Sequence, residues 1–377
     1  MSAGLVMFGE DWGAHPSSTQ HLAARLRQER DVVWVNSIGL RRPRFNAADF
    51  SRAARKIGGA LSAPASLRPG ARADARAPMT IVPPRAVSWP GSSLARLVNR
   101  VSLGAQLRGA LAARGMERPI LWASLPSAIS VVGAIGERAV VYYCGDDFGA
   151  LAGVDHGAVM AMERELVARA DLVLAASPQL AARFPAGKTM LLPHGVDVDL
   201  FSLPAPRAAD LPAGRPVAGF YGSIAEWIDV EGLANAARAL PDIDFVLIGE
   251  ARADIRPLEG LGNLRLLGRR AHDELPGYAQ HWDVSLLPFR DTPQIRACNP
   301  LKLREYLAAG PPIASTDFPA LDGYRHLIEV ARDGSDLVQA IQRALNAPAA
   351  SGARRASVAD ESWDRRAATV SQLLDSL

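Results

Sequence analysis

The sequence predicts an α/β protein of two domains, each built on a parallel sheet with helices on both faces. Short apolar runs alternate with helix-period segments along almost the whole chain, as is typical of such sheets. The runs are nearly continuous in apolar residues, which indicates strands that are buried on both faces. The alternation is broken once, at the proline-rich stretch 201–216, and then begins again.

Six strands are predicted in the first half of the chain, and helices or loops connect them. The strands are 4–8, 32–35, 119–123, 139–144, 171–177 and 189–195. Helical periodicity is present at 21–30, 92–114 and 156–170. The stretch 41–91 is rich in Ala, Arg, Pro and Gly, and we expect one amphipathic helix and loops there.

The second half repeats this pattern with six further predicted strands. They are 217–222, 243–249, 263–268, 283–289, 311–315 and 327–331. The helices predicted between and after them are 230–240, 273–281, 301–309, 335–345 and 361–374.

A length of 377 residues suits two domains of roughly 100–200 residues each. We predict an N-terminal domain at 1–200, a linker at 201–216, a C-terminal domain at 217–358 and a terminal helix within 359–377. Ligands of doubly wound α/β domains bind beside the carboxyl ends of the strands. The loops that follow the strands are therefore the first places to search for a site.

Composition excludes several classes of protein. Hydrophobic residues make up 49% and charged residues 21% of the chain, which excludes a largely disordered protein. Two cysteines, Cys144 and Cys298, cannot form a disulfide framework, and they favour a cytoplasmic location. No apolar run approaches the ~18 residues of a membrane span, and the first residues do not resemble a signal peptide.

The positive charge is concentrated in one segment. Residues 41–116 carry fourteen Arg or Lys and two Asp, a net charge of +12, whereas the whole chain carries only +3. Basic and apolar residues are mixed at 51–67, which suits a peripheral contact with an anionic membrane surface. A merely solvated Arg-rich segment is the alternative. Nucleic acid is not expected as a partner, because the segment has few aromatic residues and no reading motif.

The loop after the first strand, 9–20, is the first candidate for a binding site. Gly9 and Gly13 permit close approach of the backbone to a ligand, and Asp11 and His15 could contact a substrate. A serine or threonine at 17–19 would cap the next helix, whose free N–H groups favour anions. The alternative is a capped loop with solvent-exposed polar side chains.

Two adjacent carboxylates, Asp146 and Asp147, follow the strand at 139–144. Neighbouring residues of an extended segment point to opposite sides, so only one of them is expected to face a ligand. A carboxylate at the carboxyl end of a strand could accept a proton from a substrate hydroxyl. The alternative is a turn or a helix cap. A metal-binding pair is disfavoured because no third ligand is nearby, and we expect no metal.

Gly222 and Ser223 end the first strand of the second half. Glycine allows a diphosphate to approach the backbone, and serine can donate a hydrogen bond to it. A single glycine after a single strand is a common feature of ordinary βα turns, so this motif gains its meaning only together with others.

The strongest candidate is the segment 297–316. Asn299 is the expected N-cap of the helix at 301–309, and Pro300 suits its first position. Lys302 places a positive charge in the first turn, which opposes the helix dipole and indicates a bound anion. Glu305 lies on the same face and suits ribose hydroxyls. A surface Lys–Glu pair is the alternative, although this chain contains only three lysines.

The segment NPLKLREYLAAG at 299–310, followed by PPIAST, resembles the nucleotide-sugar site of GT-B glycosyltransferases of the family-4 type (glycosyltransferase group 1). Other motifs agree in order along the chain: FGEDWG, HPSSTQHLA, YYCGDD, ARADLVLAASPQLA, HGVD, GFYGSIAEW, VLIGE, LLGRR, YAQHWDVSLLPFR and ESWDRRAATVSQLL. The resemblance implies two Rossmann-like domains whose parallel sheets face each other across a cleft. The first domain would be on the acceptor side, and the last helix would cross back to it.

The resemblance also implies roles for individual residues. The implied donor-binding residues are Gly222, Ser223, Arg269, Pro300, Leu301, Lys302 and Glu305. The first two would approach the diphosphate, Arg269 would lie by the base, Lys302 would hold phosphate and the transferred sugar, and Glu305 would take the ribose. Gly9, Asp11 and His15 would lie on the acceptor side. Asp146 matches the position of the proposed base of the related xanthan glucuronosyltransferase.

The sequence departs from the pattern of the family in two places. A glutamate is usual eight residues before the position of Glu305, and here that residue is Ala297. An Arg and a Lys are common after the first strand of the C-terminal domain, and here the stretch offers Glu226, Trp227 and Asp229. Contacts to the donor phosphates would then rely on Lys302 and the backbone, and both inversion and retention at the sugar stay open.

The function that these observations imply is transfer of a sugar from a nucleoside-diphosphate sugar to a hydroxyl of a lipid-linked or envelope-bound glycan, without metal or cofactor. We expect a cytoplasmic enzyme, peripheral at the inner face of the cell membrane. Two alternatives share the fold: a nucleotide-sugar 2-epimerase, and a binding protein without catalysis, given the missing glutamate.

Overall fold

The structure is a computed structural model, and it describes residues 2–14, 17–40, 79–151, 153–331 and 336–377. These residues form two compact units. The first comprises Met1–Pro193 with Arg366–Leu377, and the second comprises His194–Arg365. Both units have the α/β architecture expected from the alternation of apolar runs and helical segments. No helix in the described ranges has both the length and the hydropathy needed to cross a membrane.

The sheet of the first unit is parallel throughout, with the strand order β3-β2-β1-β4-β5-β6-β7. Its strands are β1 (Leu5–Phe8), β2 (Val32–Val35), β3 (Thr80–Val82), β4 (Ile120–Ala123), β5 (Ala139–Cys144), β6 (Leu172–Ala175) and β7 (Thr189–Leu191). The strand β1 lies between β2 and β4, so Leu5 pairs with both Val32 and Ile120. The sheet extends from β1 to one side through β2 and β3, and to the other side through β4 to β7. Such a switch point of the strand order is where α/β sheets bind ligands.

Helices cover this sheet on both sides. They are α1 (Ser18–Leu26), α2 (Ser93–Ala113), α3 (His156–Arg169) and α4 (Pro178–Ala181), with 3-10 helices at Pro126–Val131 and Ala186–Lys188. Ser17 caps α1 through the Gln20 N–H, as the sequence predicted for this stretch of hydroxyls. The core contains the rings of Trp34 and Trp122, both fully buried. Each indole N–H finds an acceptor, namely Glu10 O and Ser124 Oγ.

The second unit repeats the arrangement with the strand order β10-β9-β8-β11-β12-β13, again parallel. Its strands are β8 (Val217–Tyr221), β9 (Asp244–Ile248), β10 (Leu264–Gly268), β11 (Val284–Leu287), β12 (Ile313–Thr316) and β13 (Glu329–Ala331). Strand β8 occupies the place that β1 has in the first unit, between β9 and β11. The loop after β8 therefore lies at the switch point of this sheet.

The helices of the second unit are mostly short. They are α5 (Val198–Ser202), α6 (Val230–Ala239), α7 (Pro276–Ala279), α8 (Pro293–Ala297), α9 (Leu301–Ala309), α10 (Leu337–Asn346) and α11 (Ser351–Ser357), with 3-10 helices at Arg256–Leu258, His272–Glu274, Pro319–Leu321 and Arg325–Leu327. The last helix, α12 (Trp363–Asp375), begins in this unit, and from Arg366 onward it belongs to the first.

A buried arginine holds the end of α12 within the first unit. The side chain of Arg30 is fully buried and donates to the Ser371 carbonyl at 2.9 Å and to the Asp375 carboxylate at 2.7 Å. A buried guanidinium group has to be paired. These contacts therefore fix the end of α12 to the connection between α1 and β2, where Arg30 lies.

The structure confirms most of the predicted elements and corrects some. The helix α9 has the bounds that the sequence predicted, and α2 differs by one residue at each end. The strand β3 was not predicted, because three residues flanked by prolines give too short a periodic signal. The helix expected at 273–281 is a 3-10 turn followed by the short α7, since Pro276 interrupts it.

The expected linker, 201–216, belongs to the second unit. Its backbone is held there by polar side chains: the Ala205 N–H donates to Gln280 at 2.9 Å, and Arg207 donates to the Leu211 carbonyl at 2.9 Å. Asp210 of the same stretch pairs with Arg270 at 2.6 Å. The prolines of this segment therefore accompany a chain that is fixed by these contacts.

A glycine in β8 provides a test of this packing. A Cβ atom added to Gly219 would lie 1.6 Å from a ring carbon of the buried Trp282, so Gly219→Ala should lower the free energy of unfolding by about 1–3 kcal/mol through overpacking. The matched control is Gly262→Ala, because nothing lies within 4 Å of its added Cβ. The control should change stability by less than about 0.5 kcal/mol in urea denaturation. Equal effects of the two substitutions would contradict the packing described for β8.

Candidate active site

Gly222 follows β8 and brings backbone and a lysine side chain into direct contact. Its φ is +137°, a value that favours glycine. A Cβ atom here would lie 2.1 Å from Lys302 Cε and 2.7 Å from Lys302 Nζ. The neighbouring Gly249 has φ +141°, and its added Cβ would lie 2.0 Å from the Gly222 carbonyl oxygen. Two glycines therefore create the space in which the ammonium group lies.

Lys302 lies in the first turn of α9 and is only partly buried. Its Nζ is 5.8 Å from the centre of the Phe220 ring, within reach of a cation–π contact. Within the described ranges, its ammonium group makes no hydrogen bond and no ion pair shorter than 4 Å. Burial lowers the pKa of Lys302, and the charge of Glu305 opposes part of that shift. A cation held in this way is well placed to receive an anion.

The N-terminus of α9 differs from the prediction in one respect. The N-cap is Pro300 rather than Asn299, and no side chain caps the helix. Asn299 instead accepts a hydrogen bond from the buried Arg304, which also pairs with Glu361 at 2.5 Å. The N–H groups of Leu301 and Lys302 therefore have no side-chain cap, and they add the positive end of a helix dipole to the lysine charge.

Glu305 lies one turn further along α9 and is almost buried. One carboxylate oxygen accepts from the Tyr221 hydroxyl at 2.7 Å, and the other lies 2.9 Å from His272 Nε2. Burial raises the pKa of Glu305, but the hydrogen bonds and charges of His272, Tyr221 and Lys302 outweigh it, so the pKa is lowered overall. The group is therefore an ionised acceptor held in a fixed orientation.

His272 is one of three residues of this cluster that the sequence did not predict. Burial lowers its pKa, but the hydrogen bond and charge of Glu305, with the charges of Asp197 and Asp273, raise it overall. Its ring meets Phe201 edge-on at 5.5 Å. A signal was present in the sequence, since His272 comes soon after β10, whose carboxyl end lies on the same side of the sheet as that of β8.

Two tyrosines complete the cluster, and they also were not predicted. Tyr221 is the last residue of β8, and its N–H donates to the Tyr306 hydroxyl at 3.1 Å. The two rings meet edge-on at 4.9 Å. Burial raises the pKa of both hydroxyl groups, so they stay protonated and can donate. The end of β8 and the buried face of α9 are thus tied together by side-chain hydrogen bonds.

The remaining predicted donor-side residues lie at the surface of this cluster or beyond it. Ser223 is partly buried, and Pro300 and Leu301 are partly buried beside Lys302. Arg269 is exposed after β10, whereas the next residue, Arg270, is held by Asp210 and by Tyr278 at 3.0 Å. The structure thus brings together Gly222, Lys302 and Glu305, and it leaves Arg269 at the rim of the same sheet edge.

The two departures from the family pattern also have places in the structure. Ala297, where a glutamate is usual, is buried at the end of the short helix α8. Asp229 caps α6 by accepting from the Gly232 N–H at 3.0 Å, and Glu226 is exposed. Lys302 is therefore the cation that contacts the backbone after β8.

In the first unit, the two carboxylates after β5 have different surroundings. Asp147 accepts from Arg183 at 2.5 Å and from the Gly149 N–H at 2.9 Å. Asp146 makes no side-chain hydrogen bond or ion pair within the described part of the chain. Although the residue is exposed, desolvation by the protein around it and the charges of Glu10 and Asp147 raise the pKa of its carboxyl group to about 6. Asp146 is thus the carboxylate of the pair without a side-chain partner in the described ranges, and which of the two faces a ligand stays a prediction.

The loop after β1 is held by its own hydrogen bonds. Asp11 accepts from the Ser37 hydroxyl at 2.8 Å and from the Ser37 N–H at 3.1 Å, so this carboxylate braces the loop. Gly9 is buried, and an added Cβ would lie 2.5 Å from the Trp34 ring. The predicted His15 lies outside the described residues. No cluster of three or more His, Cys, Asp or Glu able to hold a metal ion occurs within the described ranges.

The His272–Glu305 pair predicts a pH dependence of stability. A raised histidine pKa contributes stability below its ordinary value near 6.5, and a lowered glutamate pKa contributes above its ordinary value near 4.5. The stabilisation is therefore largest between these values and weakens as the pH rises through the pKa of the folded histidine. The variant His272→Asn should lose about 1–2 kcal/mol of unfolding free energy at about pH 6 and less at about pH 9.

Urea denaturation at the two pH values measures this difference. The control is His326→Asn, which alters an exposed histidine of the same unit and should show no such pH dependence. A loss on His272→Asn that is equal at both pH values would mean that the ring acts only by packing.

Part of the chain matches a known family model. Residues 215–347 match the model described as glycosyl transferases group 1. A curated protein of Bacillus subtilis strain 168, named as the teichuronic acid biosynthesis glycosyltransferase TuaH, is 29% identical over 226 residues. That match covers 54% of this chain and 57% of the length of TuaH. The chain thus spans little more than half of the curated relative that it matches.

Solved structures resemble the whole chain. Sucrose-phosphate synthase from Thermosynechococcus elongatus has a TM-score of 0.71 at 19% identity, with 98% of each chain covered. HepE of Anabaena, solved in complex with UDP, has a TM-score of 0.67 at 14% identity, covering 99% of this chain and all of the other. These likenesses show the GT-B fold, and the family model gives the domain: residues 215–347 are a glycosyl transferase group 1 domain in a chain with the GT-B fold.

Proposed function

We propose that this protein transfers a sugar from a nucleoside-diphosphate sugar to a hydroxyl of a lipid-linked or envelope-bound glycan. The observation that carries the proposal is the contact of Lys302 with Gly222 beside the ionised Glu305, all within the group 1 domain. Lys302 is a cation without a carboxylate partner among the described residues, and it suits the diphosphate of a nucleoside diphosphate. Glu305, about one helical turn away, is an acceptor of fixed orientation and suits the ribose.

The diphosphate would bind at the end of β8. Lys302 supplies a full positive charge, and the uncapped N-terminus of α9 supplies backbone donors. The missing side chain of Gly222 lets the lysine side chain lie directly against the backbone at the end of β8. These donors are in place before the reaction, so they would stabilise the negative charge that develops on the leaving diphosphate. In this proposal no metal ion or cofactor is required for that step.

The ribose would bind at Glu305. A carboxylate can accept about four hydrogen bonds, and the contacts of Tyr221 and His272 use two of these sites. The remaining lone pairs can accept from two adjacent hydroxyl groups of a ribose. Because His272 and Tyr221 fix the carboxylate, less side-chain freedom is lost when the sugar binds.

The acceptor hydroxyl would be activated in the first unit, by Asp146. Its carboxylate makes no side-chain bond among the described residues, and a pKa of about 6 allows it to accept a proton near neutral pH. An inverting transfer needs such a base. Gly9, Asp11 and His15 would belong to the acceptor side, with Asp11 acting through the loop that it braces.

The relatives guide the choice of substrates. TuaH is named for teichuronic acid biosynthesis, and HepE has been solved with UDP and with UDP-glucose. We therefore propose a uridine-diphosphate sugar as donor and an envelope polysaccharide or its lipid-linked precursor as acceptor, met at the cytoplasmic face of the membrane.

Lys302→Ala should weaken the binding of UDP-glucose by roughly tenfold or more, because the charged contact to the diphosphate is lost. Isothermal titration calorimetry measures the dissociation constant. The control is Arg256→Ala, which removes an exposed cation of the same unit and should leave the affinity unchanged. If Lys302→Ala and Glu305→Ala both bind the donor as the unaltered protein does, this site assignment is wrong.

Asp146→Asn should abolish most of the transfer while leaving donor affinity intact. In the unaltered protein, kcat/KM should fall as the pH is lowered through about 6, since a protonated carboxyl group cannot accept the proton of the hydroxyl. The matched control is Glu165→Gln, which changes a partly exposed carboxylate of the same unit. If the residual kcat/KM of Asp146→Asn still falls as the pH is lowered through about 6, the group that titrates is not Asp146.

A further inference from the structure

Exposed apolar side chains are concentrated on one surface of the first unit. Ten large hydrophobic side chains are exposed in the described residues, and six of them lie between positions 87 and 101. These six, which we call the apolar stripe, are Val87, Trp89, Leu94, Leu97, Val98 and Val101. Single exposed apolar residues are ordinary, but a contiguous group marks a surface that binds something.

Four residues of the stripe form one face of the helix α2. Leu94, Leu97, Val98 and Val101 follow the spacing i, i+3, i+4, i+7, and Leu94 and Val101 are 71% and 64% exposed. The opposite face of α2 is buried in the unit through residues such as Leu103 and Leu107. The first half of α2 is thus apolar on two sides, and the described residues cover only one of them.

The segment before α2, which carries the other two residues of the stripe, is held beside this face by polar side chains of α2. Asn99 accepts from the Val87 N–H at 2.6 Å and donates to the Val87 carbonyl at 3.0 Å. Ser102 donates to the Arg85 carbonyl at 3.0 Å. Trp89 follows in a turn that ends at Ser92, the N-cap of α2. The stripe is therefore preformed, and little order would be lost when it binds.

The segment that carries the stripe has charges of one sign, and one of its arginines, Arg96, pairs with Glu165 of α3. Residues 79–116 contain five arginines and no Asp or Glu. Arg85, Arg100 and Arg108 are exposed, and within the described ranges none of them pairs with a carboxylate. Arg108 lies one heptad after Val101, on the same face of α2, and donates to the Ala134 carbonyl at 2.6 Å. The stripe is thus apolar in its middle and cationic along its edges.

We propose that the apolar stripe docks on the surface of an anionic lipid bilayer. Trp89, Leu94 and Val101 would enter the boundary between headgroups and acyl chains, as the apolar faces of interfacial helices do. The arginines would contact lipid phosphates. A second copy of this chain fits less well, because a two-fold interface would place the same patch, with its arginines, against itself.

From the sequence, a membrane contact is expected somewhere within residues 41–116. The stretch 51–67 lies outside the described residues, and the docking surface proposed here is built from 85–108 instead. Docking of the stripe on a bilayer concerns the first unit alone and does not depend on the proposed sugar transfer. Failure of one proposal would therefore be distinguishable from failure of the other, because donor binding can be measured without membranes.

The test is co-sedimentation of the full chain with vesicles. Equal parts of phosphatidylcholine and phosphatidylglycerol should bind the protein, and phosphatidylcholine alone should bind it weakly. The double variant Leu97→Gln with Val101→Gln should bind the anionic vesicles roughly tenfold less, as should Arg85→Gln with Arg108→Gln. An unchanged midpoint of thermal unfolding would show that the variants are folded.

The matched control is Leu203→Gln with Leu266→Gln, which alters exposed leucines of the second unit and should leave vesicle binding intact. The proposal is overturned if the unaltered protein does not bind anionic vesicles, or if the control weakens binding as much as the stripe variant does. A dimer in analytical ultracentrifugation that the stripe variant dissociates, without vesicle binding, would overturn it in favour of a second copy.

Discussion

The site in the group 1 domain depends on one buried carboxylate that has to be compensated. Removing Glu305 from water costs several kcal/mol unless hydrogen bonds and charges replace the solvent. Tyr221 and His272 provide those bonds, so the end of β8 and the turn after β10 are both fastened to α9. Lys302 is carried by the same helix and lies against Gly222. The position of the ammonium group thus follows from the pairing of the carboxylate.

In the first unit, too, a buried carboxylate is compensated by hydrogen bonds and charges, but here the network leaves a neighbouring carboxylate outside it. The buried Glu163 accepts from Tyr142 at 2.6 Å and pairs with Arg183 at 3.0 Å, and Arg183 also holds Asp147. Asp146 follows the same strand and, among the described residues, lies outside this network, as does the nearby Glu10. Desolvation by the surrounding protein, together with the charges of Glu10 and Asp147, raises the pKa of the Asp146 carboxyl group. Pairing thus fixes the orientation of Glu305 in the second unit, whereas Asp146 of the first unit has no side-chain partner among the described residues.

Much of the architecture could be predicted from local patterns. Continuous apolar runs predicted strands such as β2 and β5, and the spacing of apolar residues predicted α9, because both signals arise within a few residues of sequence. The pairing of a cation and a carboxylate on α9 was likewise readable, since positions three apart share a helix face. The N-cap was predicted wrongly, because Asn299 is taken by Arg304, a partner that only packing supplies.

By itself, the sequence determined the alternation of strands and helices, the position of Lys302 and Glu305 on one face, and the excess of arginine between 41 and 116. Only the tertiary structure decided that His272 and Tyr221 fix Glu305, that Asp147 rather than Asp146 is paired, and that the apolar residues of α2 are exposed on one side. The physical reason is that hydrogen bonds and burial join residues far apart in the chain, such as Tyr221 and Glu305, and no local periodicity records such contacts.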